Sequence, residues 1–79
     1  MKILIQNPFS KVYQGEGDSV YVTTPSGDAE ILPGHSHFSS IITGKVKVKD
    51  DGLLKFELDL GDKKGILHTD GKEVVILVC

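Results

Sequence analysis

Strict polar–apolar alternation, cut at short intervals by turn-forming residues, fixes the class of fold this chain can reach. Lys45-Val46-Lys47-Val48-Lys49 and Leu54-Lys55-Phe56-Glu57-Leu58-Asp59-Leu60 both repeat with period two, the pattern of a strand with one face buried and one in water. Asp50-Asp51-Gly52 stands between them. Asp and Gly tolerate the positive φ that a primed hairpin turn requires, so a hairpin is expected there. Asp70-Gly71 joins Gly65–Thr69 to Glu73–Val78 in the same way. That last run is apolar on both faces and reads as an interior strand of a two-layer fold. Ile3 and Ile5, then Val20 and Val22, carry the same alternation at the start of the chain. Nine glycines and three prolines divide the chain into eight to ten short strands. Such even punctuation, with no helical periodicity of useful length, predicts an all-β sandwich or flattened barrel. Gly61-Asp62-Lys63-Lys64-Gly65 reads as a solvated loop.

Size and charge narrow the function. Seventy-nine residues make one domain with a small core, a setting in which a partner commonly adds stability. A formal net charge of −2 lacks the basic footprint of a nucleic-acid binder. No apolar run approaches the ~18 residues of a membrane helix, and Met1–Gln6, stopped by Asn7-Pro8, is too short for a signal peptide. The single cysteine, Cys79, has no partner for an internal disulfide and no neighbouring cation to activate it.

Residues that carry chemistry are few. His35-Ser36-His37 puts two imidazoles on one face of an extended segment, one way to begin a metal site. A small cupin-like metal barrel using His35 and His37 would require a Glu four residues after the second histidine, where Ile41 stands. No carboxylate occurs between Ile31 and Lys49. His68 is expected on a strand facing solvent. Ser36, Ser39 and Ser40 lack an elbow motif and an orienting acid. Gly15-Glu16-Gly17-Asp18 lacks the third glycine of a phosphate cradle, and its acids would repel phosphate. No catalytic residue, cofactor site or metal site is assigned.

The richest motif is Gly27-Asp28-Ala29-Glu30-Ile31-Leu32-Pro33-Gly34-His35. Pro33 presets φ near −65° and Gly34 accepts positive φ, the chemistry of a type II turn. It follows Asn7-Pro8, Val12-Tyr13-Gln14-Gly15 and Asp18-Ser19-Val20, and precedes Gly44-Lys45-Val46-Lys47-Val48. In this order the motifs resemble the N-terminal domain of the epsilon subunit of bacterial rotary (F-type) ATP synthases, closely from Lys2 to about Lys49 and more loosely beyond. The resemblance implies one domain over residues 1–79, folded as a flattened ten-stranded β-barrel or a sandwich of two five-stranded sheets. It implies a non-catalytic rotor unit, without cofactor, at the foot of the central stalk. Such a unit grips the gamma subunit and rests on the polar loops of the c-ring, so that proton- or sodium-driven rotation reaches the catalytic head. It lies peripherally on the cytoplasmic face of the bacterial inner membrane and is not inserted in it.

Carried across residue by residue, Asp28, Asn7 and Glu30 fall at the c-ring end and His35 at the corner near gamma. A carboxylate meeting arginine there would fix register as well as add energy. Three departures accompany the likeness. Glu30 replaces a usual glycine and is expected either to point outward or to alter the loop. Ser36-His37 replaces Ala-Pro, and Leu60–Gly65 replaces a Ser-Gly-Gly step. Full-length family members continue into two inhibitory helices, whereas this sequence ends at Cys79, so coupling without helix insertion is the expectation. A generic sandwich interaction module is the remaining alternative.

Overall fold

The computed structural model describes residues 1–78; Cys79, and with it the reading of a lone inert thiol, lies outside the described residues. Eight strands form: β1 (Lys2–Gln6), β2 (Lys11–Glu16), β3 (Ser19–Thr24), β4 (Gly27–Ile31), β5 (Phe38–Asp50), β6 (Leu53–Asp59), β7 (Gly65–Thr69) and β8 (Glu73–Val78). They join in one mixed sheet of order β2-β1-β8-β7-β5-β3-β4, with β6 paired to β5 off that path. Every described pairing is antiparallel except that of the first and last strands, β1 and β8, which run parallel.

The expected ten strands in two five-stranded sheets, or a closed barrel, are therefore corrected to eight strands in one open sheet. One surplus strand arises at Gly44. A glycine before the Lys-Val alternation looks like a break, yet Phe38–Asp50 is one strand of thirteen residues. Gly44 sits in it at φ +73°, and there the β3 ladder slips: Tyr21 opposes Lys47 while Thr23 opposes Thr43. Extra residues on one strand bend it and increase its twist. The first half of β5 pairs with β7, and the second half with β3 and β6.

The inward positions from both halves meet in one core. Ile3, Ile5, Leu67, Val74 and Ile76 come from the β1, β7 and β8 side; Val20, Val22, Ile31, Val46 and Val48 come from the other. Ile42, just before the bend, is fully buried between them. Full burial of each such side chain contributes about 1.5–3 kcal/mol.

Two turns form as their residues dictate. His35 N donates to Leu32 O at 3.1 Å across Pro33-Gly34, with Gly34 at φ +83°, which is the type II geometry. Asp51 and Gly52 both take positive φ, 53° and 77°, closing the β5–β6 hairpin with a primed turn. Within that hairpin the alternation fails at one point. The ladder slips between Val48–Phe56 and Lys49–Leu54, which turns Leu54 away from the core to 53% exposure. The Gly61–Lys64 loop is exposed, as its composition suggests.

Candidate interaction faces

Along β5 the outward residues change character at the bend. Beyond Gly44 they are Lys45, Lys47 and Lys49; before it they are Ser39 and Ile41. The molecule therefore presents two different outer faces.

On the lysine side, carboxylates and hydroxyls flank the row. Lys47 faces Tyr21 on β3 and Glu57 on β6, its Nζ 3.9 Å from Glu57 Oε2. Lys49 Nζ stands 4.9 Å over the Tyr21 ring. Asp28 and Glu30 lie two apart on β4 with their side chains exposed, opposite Thr23 and Tyr21. Thr23 Oγ1 donates to Asp28 Oδ1 at 3.0 Å. A hydrogen bond to the Glu30 carboxylate, with smaller contributions from desolvation and nearby negative charge, raises the Tyr21 phenol above its ordinary value. Glu30 thus points outward and leaves the β3–β4 hairpin undistorted, one of the two outcomes expected of it.

The other face is apolar. In register across three strands stand Ile41, Ile66 and Leu77, 49%, 50% and 45% exposed. Half-buried Val75 and Leu4 continue the surface in the neighbouring row. At its margin Phe9, 94% exposed, lines a groove with Asn7, Pro8, Ile66, Leu77 and Val78. Three adjacent aliphatic residues with half their surface in water form the kind of patch that marks a binding site. The expectation that Glu73–Val78 is an interior strand holds within the sheet, because β8 lies between β1 and β7. Among the described residues its outer face nevertheless has no covering layer. The doublets Ile41-Ile42, Ile66-Leu67 and Ile76-Leu77 were the sequence signal for this surface, since adjacent apolar residues in a strand load both faces.

The remaining candidates separate. Asn7 accepts hydrogen bonds from Phe9 N and Ser10 N, each at 2.8 Å, so its carbonyl oxygen shapes its own turn. It follows Gln6, which shares the Leu77–Ile66–Ile41 row. Asp28 lies in the Thr23–Thr43 row, and Thr43 is two residues beyond Ile41 on β5. Asp28 therefore belongs to a row at the bend of β5, and Asn7 follows directly on the strand end that holds Gln6. His35 is half-buried and packs edge-on against Phe38 with centroids 5.6 Å apart; its Nδ1 lies 2.7 Å from Ser36 O.

His37 turns instead to His68, ring centroids 6.5 Å apart and planes at 89°, so the two histidines of the supposed metal pair have different neighbours. His68 is exposed on β7 as expected, with Nδ1 2.7 Å from Ser39 Oγ. Among the described residues, no group of three or more His, Cys, Asp or Glu is placed to hold a metal ion. The Pro33-Gly34 corner docks on the second glycine turn: Gly34 N donates to Gly71 O at 2.8 Å. Asp70 anchors that turn by accepting from Lys72 N and Glu73 N. These backbone donors, and to a smaller degree the charge of His37, hold its carboxyl below the ordinary value.

Comparison with known proteins agrees with this architecture. Residues 1–79 match the family model described as ATP synthase, Delta/Epsilon chain, beta-sandwich domain. Among curated relatives, the ATP synthase epsilon chain of Prochlorococcus marinus is 33% identical over 79 residues. That of Thermodesulfovibrio yellowstonii is 30% identical, and that of Geotalea daltonii 29%. The match takes in 99% of this chain and 54–55% of each relative, so the chain spans about half the length of the curated relatives it matches. In solved structures the fold recurs in a chain of the Euglena gracilis mitochondrial ATP synthase OSCP/F1/c-ring assembly in rotational state 1. That likeness has TM-score 0.82 at 18% identity, over 96% of this chain and 48% of that one. It recurs again in the Tetrahymena thermophila mitochondrial ATP synthase central stalk/c-ring, with TM-score 0.72 at 14% identity, over 98% and 61%.

Proposed function

This chain belongs to the ATP synthase delta/epsilon-chain β-sandwich family, and on that basis we propose that residues 1–79 are the rotor-coupling domain of an F-type ATP synthase. In this reading the domain makes and breaks no bonds. It ties the gamma subunit of the central stalk to the c-ring, so that ring rotation driven by protons or sodium ions reaches the catalytic head. Its curated relatives are epsilon chains, and its fold recurs in solved ATP synthase assemblies that include the c-ring and the central stalk. The place that follows is peripheral, on the cytoplasmic face of the bacterial inner membrane. Among the described residues no helix is long and apolar enough to cross a membrane.

The observation that carries the proposal is the uncovered Ile41–Ile66–Leu77 row. Covering a half-exposed aliphatic side chain returns about 1–2 kcal/mol, enough over a cluster for a specific joint when a polar rim fixes register. Gamma takes this face, and His35 meets gamma from the Pro33-Gly34 corner. The exposed carboxylates Asp28 and Glu30, with Asn7 in its turn, meet the basic polar loops of the c-ring through charge-assisted contacts.

Titration of the chain with isolated gamma subunit tests the arrangement. Ile66→Asp or Leu77→Asp is expected to abolish the complex, while Asp28→Lys leaves gamma binding intact and weakens coupling in the reassembled synthase. Unchanged gamma affinity in both apolar variants would sink the assignment of this face.

A further inference from the structure

Resting on the docking face proposed above, we infer that the protonation state of His68 sets how tightly that face is held. His68 stands on β7 two residues beyond Ile66, directly across from Val75 on β8 and Ser39 on β5. It is thus set into the apolar surface beside the Ile41–Ile66–Leu77 row. Ser39 Oγ lies 2.7 Å from its Nδ1, which fixes one ring nitrogen and satisfies a neutral imidazole on that side.

The charged groups about it come from three directions. The approach to β5 contributes His37, edge-on at 6.5 Å between centroids. Asp70 stands at the β7–β8 turn with its carboxylate already held by two backbone amides. Glu73 begins β8 opposite Lys2 of β1. The strands that flank His68 offer it only Ser39 and Val75 directly, neither of them a counter-charge.

A partner that covers this face removes water from His68. Neutral imidazole tolerates the transfer; imidazolium without a paired anion does not. A second positive charge on His37 would add repulsion at short range. Histidine is the side chain whose charge changes between pH 5 and 8. Docking is therefore tight at neutral and alkaline pH and loosens in mild acid. The loss is read by comparing affinity at about pH 7.5 and about pH 5.5.

The test is gamma affinity at those two pH values for the wild-type chain, His68→Gln and Ile66→Asp, with circular dichroism recording that each is folded. Glutamine keeps an amide for Ser39 and cannot take up the charge. The wild type is expected to lose several-fold more affinity than His68→Gln; groups that titrate on gamma itself act equally on both. Equal losses in the two proteins would overturn the inference. If Ile66→Asp abolishes binding while His68→Gln keeps the full pH dependence, the face stands and the role of His68 falls. If Ile66→Asp binds gamma as well as the wild type does, the face and this inference fall together. His68→Asn serves the same comparison should the glutamine variant not fold.

Discussion

Tyr13 and Phe56 stack with ring centroids 4.7 Å apart and planes 24° from parallel, although their strands, β2 and β6, are not hydrogen-bonded neighbours. β2 is one end of the sheet, and β6 hangs from the far half of β5. The two rings hold together parts of the sheet that no backbone ladder joins. A double-mutant cycle with Tyr13→Leu and Phe56→Leu is expected to give a coupling of about 0.5–1.5 kcal/mol in urea denaturation. Strict additivity would show that the rings merely lie near one another.

Gly71 makes a sharper demand. It takes φ +91°, and a Cβ built on it would fall 2.5 Å from the backbone oxygen of His35. Gly52 has a similar φ of +77° but open space around it. Left-handed backbone alone costs an L-residue about 1–2 kcal/mol, so Gly52→Ala should lose about that much. Gly71→Ala must also push the Pro33-Gly34-His35 corner away, and should lose distinctly more. Equal losses, read from urea midpoints at unchanged slope, would mean that the corner yields freely.

The Glu30–Tyr21 contact has a pH signature. Because the folded state raises the Tyr21 phenol, its stabilising share is whole below the unfolded tyrosine value of about 10. It fades as pH climbs through the higher folded value. Following phenolate absorbance, Glu30→Gln should bring one tyrosine titration back toward its ordinary range. An unchanged titration would show that Glu30 does not bond the phenol.

The fold was legible wherever a residue acts on its own backbone. Pro33-Gly34 and Asp51-Gly52 form the turns their φ preferences dictate, and Val46 and Val48 are buried between exposed or half-exposed lysines because period two leaves no other choice. What stayed hidden depends on residues distant in sequence. Nothing local to Gly44 distinguishes a bend within a strand from a gap between strands, so the single long strand β5 could not be read from the sequence. Nothing in Leu54 shows that the ladder slips beside it. The apolar face was missed because a strand loaded on both sides signals two covered faces, whereas Ile66 and Leu77 have only one. The residues singled out from family motifs lie in exposed turns and edges, where alternation carries no information and only the order of the motifs does. The approach of His37 to His68 could not be foreseen, since thirty residues of chain lie between them and only the β5–β7 ladder brings them together.

The parallel pairing of β1 with β8 sets a timetable for assembly. From Ile3 with Val74 to Ile5 with Ile76, the contacts that complete one side of the core join residues about as far apart in sequence as this chain allows. Such pairings repay their loop-closure entropy late. The β1–β2 hairpin must wait, one long side unzipped, until β8 has been synthesised and has found it.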